Sequence, residues 1–265
     1  LSNVLLDKYK NAYIIDIRDY FKEHIKWYYE AQRKVINYSS KVIISSEAFK
    51  KFLPPHNYIV THNSQNISDN QILFYRSRKK SSKSPIVVSC IGTMRYFNEH
   101  KKVLTIFKND DRFTMRFIGS GSNLLKKYCK ENNIRNIIIH DRFKPEETLN
   151  FYYDTDIVLN IYGNNNPLVD HLLSNKLYYA AQLGIPIIVS RNTFMEEVAI
   201  KNGFGFSFDF GNNHILDELY SYYNGINWDE FYFNCDKFMN RVKAEETKFS
   251  DNVKEFFKMS YKNIN

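Results

Sequence analysis

Residues 85 to 208 alternate short apolar runs with helical patterns, and this alternation constrains the fold more than any other feature. Ile86 to Ile91 (IVVSCI) is a near-continuous apolar run, the kind a strand buried on both faces of a parallel sheet requires. A turn at Gly92, Thr93, Met94 and Arg95 follows, then a helix from about Glu99 to Lys108. Strands are expected at Thr114–Ile118, Asn136–Ile139 and Ile157–Asn160, with helices at Leu124–Asn132 and Pro145–Tyr153 between them. Asn164 to Ser190 then reads as a polar loop marked by proline, a helix with apolar positions at Leu168, Leu172, Leu173, Leu177 and Ala180, a stop at Gly184, and the strand Ile185–Val189. Phe194–Asn202 and Gly203–Phe208 add a last helix and strand. The start of the Asn164 helix offers an anion unpaired backbone N–H groups and a partial positive charge.

The first 75 residues carry a shorter version of the same pattern. Strands are expected at Tyr13–Ile17, Lys41–Ser45 and Tyr58–Thr61, and helices at Ile25–Tyr38 and Ser46–Phe52, the latter capped by Ser45 or Ser46. The first strand ends in Asp16, Arg18 and Asp19, which either line a cleft or form an ion pair that holds a loop. Ser64 to Ser84 is polar and basic and reads as a linker. Beyond Asn213 the chain is helical, over Leu216–Tyr223, Asp229 to about Lys243, and Ser250–Met259. Two strand-helix repeats in one chain predict an α/β architecture of two lobes with a cleft between them.

Composition narrows the function. With 265 residues, 43% of them hydrophobic, the chain can fill a core, and its longest apolar runs are too short to cross a bilayer. The net charge of +8 is dispersed except at Arg76–Lys83, which reads as a solvated linker and is compatible with a membrane-surface role. Basic residues are not interleaved with aromatics on one face, so nucleic acid is not an expected partner. Cys90, Cys129 and Cys235 are odd in number and far apart, so they give neither a disulfide frame nor a metal knuckle and fit a reducing cytoplasm.

Six segments in order carry a resemblance. NKLYYAAQLGIPIIVS is similar to the helix, glycine-x-proline turn and strand of the GT-B fold glycosyltransferases of group 1, or family 4, type. The turn Ile91–Arg95, FIGSGSN, FKPEETLNFYYDTDIVLN and EEVAIKNGFGF add to it, as does KVIISSEAFKKFL followed by YIVTHN. The resemblance covers most of the chain and implies two Rossmann-like lobes with parallel sheets: residues 1–80 a partial acceptor-side lobe and linker, 81–246 the donor-binding lobe, and 247–265 a helix crossing back. The chain opens at Leu1 with its first lobe short, so it reads as a fragment whose N-terminal lobe is incomplete.

The resemblance also implies a site. A UDP- or GDP-linked sugar would be the substrate, with no cofactor and no metal. Its diphosphate would lie near Gly92, Thr93 and Arg95 and at the helix start near Asn166, with Lys176 beside it and Lys101 and Lys102 as weaker candidates. Phe143 and Lys144 match the place where the backbone meets the base. Two glutamates that many relatives carry are His171 and Tyr179 here; a phenol offers one hydroxyl where a carboxylate would accept from both ribose oxygens. Glu197 matches an acidic position near the sugar, Glu196 is its neighbour, and with His171 these are the catalytic candidates. The expected activity is metal-independent transfer of a sugar to a surface glycan such as capsular polysaccharide or lipopolysaccharide, the acceptor being a glycan or lipid-linked. The expected location is the cytoplasm, peripheral to the inner membrane face. The alternatives are a nucleotide-sugar epimerase of the same fold and a non-catalytic module like a donor lobe.

Overall fold

The computed structural model describes residues 2–77 and 85–262. A short helix α1 (Ser2–Lys8) precedes β1 (Ile14–Ile17), α2 (Lys26–Asn37), β2 (Lys41–Ile44) and β3 (Tyr58–Val60), which form a three-stranded parallel sheet in the order β1-β2-β3. Its core is Ile17, Ile36, Val42, Ile44, Phe49, Leu53 and Val60. Between β2 and β3 the expected helix is a 3-10 turn, Glu47–Lys51, whose cap is Ser46, accepting from the Ala48 N–H at 3.3 Å.

The segment from Ser64 onward is not all linker. Asp69–Arg76 forms α3, opened by a capping box in which Ser68 and Gln71 each bond the other's backbone N–H. Arg76 is not solvated either. Its guanidinium pairs with Asp236 at 2.9 Å, donates to the Gln182 carbonyl at 3.2 Å and stacks on Tyr232. The rest of the basic cluster, residues 78–83, lies outside the described residues.

The second sheet comprises β4 (Ile86–Ile91), β5 (Phe113–Ile118), β6 (Ile137–His140), β7 (Ile157–Asn160), β8 (Ile187–Ser190) and β9 (Gly205–Phe208), all parallel, in the order β6-β5-β4-β7-β8-β9. The helices between them are α4 (Phe97–Ile106), α5 (Leu125–Glu131), α6 (Thr148–Tyr153), α7 (Pro167–Asp170), α8 (Asn175–Leu183) and α9 (Phe194–Lys201). Two apolar clusters cover its faces, one around Leu177, Tyr178 and Phe204, the other around Phe107, Phe113 and Met115. From β4 the chain winds outward to β6, then returns to place β7 on the other side of β4. That reversal opens a crevice at the carboxyl ends of β4 and β7, where ligands bind in sheets of this kind.

The Asn164 helix is two helices. The Asn166 side chain caps α7 by accepting from the Leu168 N–H at 3.1 Å, and α7 ends at His171. The hydroxyl of Ser46, from the other lobe, donates to the His171 carbonyl at 2.5 Å and takes up the acceptor that a continuing helix would use. The chain re-enters helix only at Asn175, and Gly184 stops α8 in the left-handed conformation (φ 67°), as its sequence position predicts.

After α10 (Ile215–Asn224) comes α11 (Trp228–Lys262), one helix of 35 residues where two were expected. Ala244 to Phe249 contains no glycine or proline to interrupt it. Its first half buries Phe231, Cys235, Phe238, Met239 and Val242 against the second sheet. Its second half reaches the first sheet: Glu246 accepts from Thr61 Oγ1 at 3.0 Å, Glu245 meets His62 Nε2 at 2.5 Å, and Lys41 Nζ donates to Asn252 and Glu255 at 3.0 and 2.9 Å. Among the described residues no helix is long and apolar enough to cross a membrane.

A buried histidine makes the second lobe acid-sensitive. His100 on α4 is 1% exposed, next to the Phe117 ring and 3.9 Å from Cys90 Sγ. Burial, with the Lys176 charge adding to it, lowers its pKa from 6.5 to about 4. As the pH drops from 6.5 to about 4, the unfolded chain takes up a proton that the folded chain refuses. Stability is therefore lost across that window, by up to about 3 kcal/mol, and is unaffected by this group above it. Urea denaturation at pH 7 and pH 4.5 should show a larger loss for the wild type than for His100→Gln; equal losses would rule the mechanism out.

Candidate donor site between the lobes

A cleft of about 820 Å³ opens between the two sheets at the β4–β7 crevice. Arg18, Asp19, Tyr20, Phe21, Ser45 and Asn63 form the wall from the first lobe. Both readings of the charged exit of β1 hold, since Arg18 pairs with Asp16 at 2.7 Å and Arg18 and Asp19 also line the cleft.

The opposite wall is built on the turn after β4 and the first turn of α8. Gly92 has φ +119°, and a Cβ built on it would lie 3.9 Å from Lys176 Nζ, so the lysine tip reaches over this turn. Gly119, at the end of β5, supports the turn from behind. Its φ is +130°, and a Cβ there would lie 2.1 Å from the Gly92 carbonyl oxygen. Only glycine fits that approach.

Lys176 is the unusual residue of this wall. It is 8% exposed, yet its ammonium has one described polar partner, the Tyr162 hydroxyl, to which it donates at 2.9 Å. Burial, the largest influence, pulls its pKa down, but the Tyr162 phenol and the Cys90 thiol raise it by more, and the balance lies above the ordinary lysine value. A cation thus sits in the cleft wall with no carboxylate paired to it among the described residues, an arrangement that a bound anion would complete. The helix end beside it is also open. No side chain caps α8, because Ser174 Oγ donates instead to Asn160 Oδ1 at 3.1 Å. Arg95, exposed and without an ion pair among the described residues, adds a second cation at the mouth.

The flanks are aromatic. Tyr96 and Tyr162 pack at 4.5 Å, with the Lys176 ammonium over the Tyr162 ring. Tyr152 and Tyr179 stack at 4.6 Å, and Phe143 lines the cleft while packing on Phe151. Burial raises the phenol pKa of Tyr179 and of Tyr96, so both side chains are neutral hydrogen-bonding groups at pH 7.

Of the residues expected from sequence, Gly92, Thr93, Arg95, Phe143, Lys176 and Tyr179 meet in this cleft. Others do not. Asn166 caps α7 and lines a side hollow it shares with Arg95, Tyr96 and Glu99. Lys144 is exposed, its backbone N–H donating to Glu147 at 2.7 Å. Lys102 pairs with Glu99 and Lys101 lies over the Tyr128 ring. The helix start that faces the cleft is that of α8 at Asn175, nine residues after Asn166.

His171, Glu196 and Glu197 come together, but in a second hollow of about 640 Å³ bordered by Lys51 and Lys201. The His171 ring packs on Phe52, and burial, with the Lys51 charge, lowers its pKa. Glu196 is held by its surroundings: it accepts from the Asn192 N–H at 2.6 Å and from the hydroxyl of Ser207 on β9, while Thr193 caps its N–H. Glu197 is exposed. The residues the sequence did not single out are Tyr96, Tyr152, Tyr162 and Ser174. The signal for Tyr162 was its place two residues beyond a buried strand at the reversal of strand order. Among the described residues no group of three or more His, Cys, Asp or Glu is placed to hold a metal.

No protein-family model matches the sequence, and no curated protein matches it. Solved structures do. Sucrose-phosphate synthase from Thermosynechococcus elongatus superposes on 96% of this chain and 70% of its own, with TM-score 0.68 and 10% identity. HepE of Anabaena, solved with UDP and glucose, covers 91% of this chain and 71% of its own at TM-score 0.62 and 13% identity. A glycosyltransferase from Rickettsia africae covers 92% and 70% at TM-score 0.63 and 13% identity. The chain has the GT-B fold. Identities this low carry the fold and not the activity, so the chemistry of this GT-B cleft rests on its own residues.

Proposed function

We propose that the protein transfers a glycosyl group from a nucleoside diphosphate-sugar to a glycan or lipid-linked acceptor, and that residues 81–246 hold the donor. The observation that carries this reading is the buried Lys176 ammonium, unpaired with any described carboxylate, above the Gly92 turn and beside the uncapped start of α8. The solved neighbour HepE, which has UDP and UDP-glucose bound in its structures, supports the choice of ligand class.

The roles follow from charge and position. Lys176, Arg95 and the α8 amides offset the negative charge that grows on the diphosphate as the glycosidic bond breaks. The Gly92 and Thr93 backbone lies against the phosphates, and Phe143 and Tyr179 flank the nucleoside. His171 and Glu197 face the second hollow, on the side we assign to the acceptor. A surface polysaccharide as acceptor, at the inner face of the membrane, completes the proposal and is supported by the net charge of +8.

Calorimetric titration with UDP, GDP and their sugars tests the reading, with micromolar binding to one pair expected; no binding to any of them sinks it. One observation favours a second reading. The three expected catalytic residues lie outside the cleft that holds Lys176, as they would in a binding module without turnover. Release of free nucleoside diphosphate on adding membrane-derived glycan acceptors separates the two, and an altered sugar on the donor without acceptor would indicate an epimerase.

A further inference from the structure

The diphosphate position in the proposed function divides the cleft in two. Gly92 follows β4, the middle strand, while Phe143 lies beyond β6 on one flank and Tyr162 follows β7 on the other. Around Tyr162 the groups are polar and charged: Tyr96 packs on it, and Arg95, Asp19 and Lys176 lie close enough to Tyr96 to act on its phenol. Phe143, Thr148, Tyr152 and Tyr179 also line the cleft, Tyr152 stacking on Tyr179 and Phe143 packing on Phe151. A flat base belongs among those rings, where stacking is available to any base.

A nucleoside running from these rings to Lys176 must carry its ribose past Tyr179. Tyr179 is three residues after Lys176 on α8, so the two side chains are neighbours on one helix face. Its ring is fixed by stacking on Tyr152 at 4.6 Å, and its hydroxyl makes no described hydrogen bond. The side-chain polar groups on this flank are the hydroxyls of Thr148, Tyr152 and Tyr179, all neutral. Asp19 is the one carboxylate among the described residues lining the cleft, and it sits at the opposite end, near enough to Tyr96 to raise its pKa.

A site that reads ribose uses a carboxylate, which accepts from the 2′-hydroxyl and leaves a costly unpaired charge when that hydroxyl is missing. A neutral phenol bonds one hydroxyl and incurs no such penalty. We propose that this cleft does not read the ribose 2′-hydroxyl and takes 2′-deoxyribonucleoside diphosphates as readily as ribonucleoside diphosphates. The inference rests on the donor-site reading above and extends it to the class of donor: thymidine diphosphate-type sugars belong to the substrate range.

The test is calorimetry on the full chain with matched pairs, UDP against 2′-deoxy-UDP and GDP against 2′-deoxy-GDP. For whichever base binds, the two dissociation constants should agree within about fivefold, the scale of one neutral hydrogen bond. Tyr179→Phe should weaken both members by the same factor. Tyr179→Glu, which restores a carboxylate, should open a preference for the ribo form of about tenfold or more. A deoxy form bound thirtyfold or more weaker by the wild type overturns the proposal and leaves the donor-site reading intact. No binding of either member of either pair overturns both. The wild-type comparison decides the matter even if Tyr179→Glu fails to fold.

Discussion

Lys176→Met is expected to weaken nucleoside diphosphate binding by roughly 10- to 100-fold, the effect of losing charge-assisted hydrogen bonds of about 1.5–3 kcal/mol. The same substitution should leave the free protein nearly as stable as the wild type. The ammonium is 8% exposed and its described polar contact is one neutral phenol, so the ligand-free fold loses one hydrogen bond and no ion pair, and methionine fills a similar volume. A large loss of affinity with little change in stability, measured by calorimetry with UDP and urea denaturation without it, distinguishes a ligand-binding lysine from a structural one. A variant that loses stability and keeps its affinity would show that Lys176 serves the core.

Gly119→Ala has the second large expected effect, and it falls on stability and binding together. A Cβ at this residue lies 2.1 Å from the Gly92 carbonyl oxygen and 2.7 Å from its carbon, in a conformation (φ +130°) that L side chains rarely adopt. The backbone must move, at a cost of about 3 kcal/mol or more, and what moves is the turn under Lys176. A fall in melting temperature of roughly 6–12 °C should accompany loss of nucleoside diphosphate binding at the proposed site. Gly121→Ala is the control, since its nearest contact is 3.3 Å and its cost is mainly its positive φ. Equal melting points for Gly119→Ala and wild type would refute the close approach.

What could be read beforehand was set by local chemistry. Ile86–Ile91 and Ile157–Asn160 were placed with their observed ends because apolar runs between turn residues are local signals. Gly184 was legible as a helix stop for the same reason. The break between α7 and α8 was not, because the group that takes the His171 carbonyl, Ser46, comes from 125 residues away. Lys176 was nominated from its place in a motif, but its burial, and its neighbours Tyr96 and Tyr162, depend on how β4 and β7 are brought side by side. Glu196 and Glu197 show the reverse. Their acidity drew attention, and the fold turns one to a helix cap and the other to a different hollow. The Ser68–Gln71 capping box that opens α3 was a local signal, hidden by the polar and basic stretch around it.

The 35-residue α11 is about 50 Å of unbroken rod, fastened to the second lobe through Phe238 and to the first through Glu245, Glu246 and Glu255. A beam fixed at both ends resists sliding and opening of the two lobes but permits small twists about its length. Any relative motion of the lobes is then confined to twisting about that rod, with Gly92 and Lys176 on one wall of the cleft and Arg18 and Asp19 on the other.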